Sequence, residues 1–148
     1  MRKHTRLILF LALARFILPY LLQNGIYEPH RDEFLYLAQG NHLAWGFLEV
    51  PPFLSVFAWL IHLFGNSVFW IRFWPDLFGS LTFLLCADAV RVLGGKQFSI
   101  WLVFFAFVFT GWLRMFFLFQ PNAPEIFFIT LMNYGIFRYI IDRKPKYL

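Results

Sequence analysis

Long apolar runs, broken only by rare charges, leave this chain few ways to fold. Leu7 to Leu22 is apolar except for Arg15. Inside a bilayer the backbone must satisfy its own hydrogen bonds, so such runs become helices. Four segments are long enough, or nearly so, to cross about 30 Å of hydrocarbon at about 20 residues each. They are 7–23, 76–93, 98–119 and 123–141. The sequence is 60% hydrophobic and 14% charged, with 22 Phe, more apolar surface than a soluble domain of this size can hide. The expected class is all-α: a polytopic membrane helical bundle of about four transmembrane helices, forming one module over 1–148.

Charge sets the expected orientation. Arg2, Lys3 and Arg6 precede the first run, and no small-x-small cleavage pattern follows Leu22. This reads as an uncleaved signal anchor with a cytoplasmic N-terminus. Four crossings then place Arg91, Lys96, Arg138, Arg143, Lys144 and Lys146 at the inner face as well. That obeys the positive-inside rule. The location expected is the plasma (inner) membrane, multi-pass, with the active loop outside. The net charge of +5 gives no reason to expect nucleic acid, because most basic residues flank apolar spans and form no single basic face. Cys86, the single cysteine, can form no internal disulfide and reads as a small packing residue.

The large outer loop, 24–75, carries most of the candidate chemistry. Glu28, His30, Arg31, Asp32 and Glu33 put five ionisable groups within six residues. Carboxylates where a chain leaves a bilayer are costly unless solvated or used, which makes the cluster a candidate site. Acids at a helix start also suit the helix dipole, so a purely structural role is the competing reading. Residues 32–45 fit a short amphipathic helix ended by Gly46. Pro51 to Phe64 would make a helix of only about 21 Å at 1.5 Å per residue, suited to the interface, with Pro52 near its first position. Trp45, Trp59, Trp70 and Trp74 suit a membrane-interface belt. Gly94-Gly95 makes a cytoplasmic turn and Gln120-Pro121-Asn122 a short outer one. Arg15 and Asp88, both placed in the cytoplasmic half, are expected to face each other or other protein polar groups.

The order of motifs carries a resemblance. Arg31-Asp32-Glu33-Phe34-Leu35-Tyr36 is followed by His42-Leu43-Ala44-Trp45-Gly46-Phe47 and by Pro51-Pro52-Phe53. Then come Phe64-Gly65-Asn66-Ser67, Ile71-Arg72-Phe73-Trp74-Pro75 and Leu77-Phe78-Gly79-Ser80-Leu81. This resembles the N-terminal portion of GT-C membrane glycosyltransferases, in the branch of protein O-mannosyltransferases and aminoarabinose transferases. Family members have about twice as many spans, so the chain resembles an amino-terminal piece, with a second chain as one source of the rest. Where the family often has Pro-Asp in its second outer loop, this chain has Pro121-Asn122 with Glu125 nearby.

The resemblance implies transfer of a sugar from a polyprenyl-phosphate-linked donor to a lipid, glycan or protein hydroxyl. Asp32 matches the family's first acidic residue and is the expected base, with Glu33 beside it. A carboxylate helps a hydroxyl attack by accepting its proton as the transition state develops. Direct displacement inverts the anomeric centre and needs no covalent enzyme intermediate, as in inverting glycosidases. The departing phosphate needs positive charge, and Arg31, Arg72 and Arg114 are the outer cations able to supply a bidentate fork. Glu125 and Asn122 complete the candidate substrate contacts, in a pocket between the third and fourth spans. Arg72 pairing with Glu33, Arg114 snorkelling and an Arg114–Glu125 pair are the structural alternatives. The residues demand no cofactor; a divalent metal is the open alternative, with His30, His42, Asp32, Glu33 and Glu49 as candidate ligands in a spacing that fits no metal motif. A non-catalytic membrane assembly subunit or remnant is the competing function.

Overall fold

The computed structural model describes residues 2–23, 29–47 and 50–143. Seven helices span them, and no strand occurs among the described residues. They are α1 (Arg2–Leu22), α2 (Arg31–Gln39), α3 (Phe53–Leu63), α4 (Val68–Val92), α5 (Gln97–Val108), α6 (Trp112–Met115) and α7 (Asn122–Asp142). Two stretches, His4–Leu22 and Val68–Val92, are long and apolar enough to cross a membrane. The protein is a helical membrane bundle.

Three boundaries differ from expectation, each for a local reason. The helix expected at 76–93 begins at Val68, so Trp70, Arg72 and Trp74 belong to α4 and the preceding loop is shorter. The turn before it is made by Gly65 (φ +96°) and Asn66 (φ +58°), left-handed positions that Gly and Asn tolerate best. The stretch 98–119 is not one helix. Thr110 Oγ1 donates to the Ala106 carbonyl (2.6 Å) and accepts from the Trp112 N–H (3.3 Å), so its hydroxyl competes with the helical ladder. Thus α5 stops at Val108 and α6 is one short turn. The helix expected over 32–45 runs only to Gln39 and is capped by Gly40 rather than ended by Gly46. A Cβ on Gly40 would lie 2.7 Å from backbone atoms of Ala58 and Trp59, so α2 stops where its backbone meets α3. The interfacial helix expected at 51–64 is α3, with Pro52 as its N-cap.

α4 is the central helix. It packs against α1, α3, α5 and α7, while α2 rests on α3. Arg15 of α1 meets Asp76 of α4, and Thr5 near the start of α1 meets Arg91 near the end of α4, so α1 and α4 are antiparallel. Asp88 near the end of α4 meets Arg138 near the end of α7, so those two run parallel. One core cluster joins α1, α4 and α5 through Leu11, Phe83, Ala87 and Ile100. A second joins α3, α4 and the 116–121 turn through Leu54, Ala58, Ile61, Ile71 and Phe119. The outward faces stay apolar: Phe10, Leu13 and Leu21 on α1 and Phe98, Leu102 and Phe105 on α5 are exposed, as expected for sides turned to lipid.

Candidate functional site

The charged cluster starts α2. His30 is the N-cap; its Nδ1 accepts from the Asp32 N–H (3.3 Å), and its own N–H donates to Glu33 Oε2 (2.5 Å). This reciprocal capping satisfies two helix-terminal donors at once. The two acids end in different surroundings. The Asp32 side chain is 40% exposed, whereas Glu33 is fully buried.

Glu33 is the anchor of this end of the bundle. Its Oε1 accepts from Arg72 Nη1 and from the Phe119 N–H (2.6 Å). Arg72, itself buried, donates from the same nitrogen to the Phe117 carbonyl (2.9 Å) and lies over the Phe117 ring, 5.5 Å from its centroid. One carboxylate and one guanidinium therefore tie α2, α4 and the turn before α7 together. The pairing of Arg72 with Glu33 weighed from the sequence is what the fold contains.

The other expected site residues are placed less centrally. Arg31 is 94% exposed, with only a 3.5 Å contact to Asp32. Arg114 on α6, and Asn122 and Glu125 at the start of α7, are exposed. Arg114 and Glu125 form no ion pair among the described residues. The cleft beside α7 is a shallow apolar groove lined by Phe57, Trp74, Phe78, Phe119, Gln120 and Pro124, not the polar pocket between Arg114 and Glu125 that the sequence suggests. Of the metal-ligand candidates, Glu49 lies outside the described residues, as do Glu28, Lys144 and Lys146. His30 is the cap, His42 is exposed, and no three His, Cys, Asp or Glu side chains gather around a common point among the described residues.

Residues that sequence reasoning missed lie on α4. These are Asp76 and Ser80, which with Arg72 repeat every four residues and line one face. Arg15 Nη1 donates to the Asp76 carboxylate, to the Asp76 carbonyl (2.6 Å) and to Ser80 Oγ (3.2 Å). Both members of this pair are fully buried. Arg15 thus meets Asp76 rather than Asp88. Asp88 instead binds Arg91, Arg138 and the Tyr134 hydroxyl (2.5 Å). The broader expectation, that both charges face protein polar groups, holds. The i, i+4 spacing was the available signal, hidden because 72–75 read as loop.

Residues 49–148 match the family described as dolichyl-phosphate-mannose-protein mannosyltransferase. The matched segment begins after Asp32-Glu33 and includes Arg72, Arg114, Asn122 and Glu125. No curated protein and no solved structure matches the chain. The match takes in α3 to α7, more than half of the sequence, including the central helix α4. The chain therefore belongs to the dolichyl-phosphate-mannose-protein mannosyltransferase family, of the GT-C glycosyltransferase type.

Proposed function

We propose that this chain, alone or completed by a second chain, transfers a sugar from a polyprenyl-phosphate donor to a lipid, glycan or protein hydroxyl. The single observation that carries this reading is the division of labour at the start of α2. Glu33 is buried as an anchor, and Asp32, one residue earlier, is held at the surface by the same cap. A carboxylate fixed on a rigid element yet open to solvent suits a general base. Asp32 accepts the acceptor hydroxyl's proton as that oxygen bonds to the anomeric carbon and the lipid phosphate leaves. Glu33 and Arg72 hold the first turn of α2 in place. Arg31 and Arg114 are exposed and are the cations left to meet the phosphate, with Asn122 and Glu125, exposed at the start of α7, as the further substrate contacts.

The basic residues Arg6, Lys96 and Arg143 are exposed and lie toward the end of the bundle opposite α2. That supports a cytoplasmic N-terminus with Asp32 on the outer side of the inner membrane.

One observation favours the second reading, a non-catalytic assembly subunit: the groove beside Phe119 and Pro124 is apolar and does not gather the acids and arginines. The test uses membranes holding the chain, a polyprenyl-phosphate sugar and hydroxyl acceptors. The proposal expects transfer with inverted anomeric configuration by wild type, and its loss in Asp32→Asn. Transfer retained in the variant removes Asp32 from its role, and no transfer with any donor favours the subunit reading.

A further inference from the structure

The Arg15–Asp76 pair is the most deeply buried charged pair that the proposed chemistry leaves unused. Its bonding is incomplete: Arg15 Nε and Nη2 and Asp76 Oδ2 are buried without a hydrogen-bond partner. A buried ion pair bonded this sparsely adds little net stability over packed apolar side chains. Stability alone does not explain its place.

Its surroundings do. The guanidinium lies over the Phe116 ring, 5.4 Å from the centroid. Gly79 leaves the room for it: a Cβ there would fall on Arg15 Cζ and on Phe116 Cβ, each at 2.6 Å. Phe116 is fully buried and stacks on Phe107 (6.1 Å) and Trp112 (5.7 Å). The next residue, Phe117, meets Tyr20 of α1 edge to face at 5.1 Å. The turn after α6 is thus seated on α1 by Arg15 and Tyr20, just as Arg72 and Glu33 fix it to α4 and α2. Arg114 precedes Phe116 by two residues, and its carbonyl accepts from the Phe117 N–H (2.9 Å). Asn122 follows the turn directly.

We infer that Arg15, held by Asp76, is a positioning residue: it sets the 116–121 turn and through it the donor-phosphate contacts at Arg114 and Asn122. The inference rests on the sugar-transfer reading for its functional half only. Its geometric half is that loss of the Arg15–Phe116 seat moves α6 relative to α1.

The experiment compares wild type with Arg15→Lys and with Gly79→Ala. The second keeps both charges and displaces the guanidinium and Phe116, so it remains informative where Arg15→Lys fails to fold. Spin labels at Leu13→Cys and Arg114→Cys, in a Cys86→Ser background in nanodiscs, report the α1–α6 distance without any activity. Unlabelled proteins report donor KM and kcat per folded protein. The expected result is a shifted or broadened distance distribution together with a several-fold higher donor KM at retained kcat. A merely structural role lowers the folded fraction and leaves KM unchanged. An unchanged distance, or a changed distance with unchanged KM, overturns the inference. Absence of transfer in wild type strikes the sugar-transfer reading instead and leaves the distance result to decide the positioning of α6.

Discussion

Breaking the Glu33–Arg72 pair from one side should cost more than removing both charges. Arg72→Met leaves a fully buried carboxylate with no counter-charge, a change that typically costs about 3–5 kcal/mol. Glu33→Gln leaves the buried guanidinium unpaired and turns an amide N–H toward the His30 N–H, so it should cost about as much. The double variant carries no buried charge at this site. The Gln oxygen can still accept from the Phe119 N–H; the His30 N–H and Phe117 carbonyl lose their partners, and because both contacts are only part-buried the two together should cost about 1–3 kcal/mol, the low end of the range per group. The double variant should therefore be more stable than Arg72→Met alone, with a coupling of at least about 2 kcal/mol, near the upper end for residues in contact. Against a total stability of about 5–15 kcal/mol, that difference is large. Reversible unfolding in mixed micelles, followed by circular dichroism, measures all four proteins. Additive losses, or single variants within about 0.5 kcal/mol of wild type, would refute the anchoring role of Glu33.

Three further outcomes follow from packing. Gly40→Val should loosen α2 from α3, because its Cβ would sit 2.7 Å from the Ala58 backbone; a cost of about 1–3 kcal/mol and faster amide exchange across 31–39 are expected, and unchanged exchange would contradict the close approach. Phe83→Ala, at a fully buried position between α1, α4 and α5, should cost about 3–5 kcal/mol in the same unfolding assay. A loss under about 1 kcal/mol would mean Phe83 does not fill that core. Leu13→Cys, on the exposed face of α1, should react with a lipid-phase probe and resist a water-soluble thiol reagent in intact membranes; the reverse pattern would deny that this face meets lipid.

What the sequence revealed divides along the line between local and distant causes. Apolar runs and Pro52 announced α1, α3 and α7 directly. The acidic pair announced a helix start, but not which acid would be buried. That choice depends on Arg72, 39 residues away, and on the Phe119 N–H, 86 residues away. The start of α4 was obscured for the same reason. Residues 72–75 read as loop because Arg72 and Pro75 interrupt the apolar pattern, and Asp76, at the edge of the expected span, showed no partner; Glu33 and Arg15, which pair with Arg72 and Asp76, lie in other helices. Once α4 starts at Val68, Asp76 sits about two turns inside it, level with Arg15, which lies about two turns from the end of α1. Asp88 then falls toward the opposite end, beside Arg138 and Tyr134. The break after Val108 was legible in principle, since Thr110-Gly111 offers both a competing hydroxyl and a weak helix former.

The central claim is that the Asp32 carboxylate removes a proton during sugar transfer while Glu33 only holds the frame. Its most direct measurement is the single-turnover transfer rate of Asp32→Asn against wild type at equal folded protein. A fall of about 10²–10⁴-fold, the range for loss of a general base, with the unfolding midpoint unchanged, is the predicted result. A rate within a few-fold of wild type would contradict it.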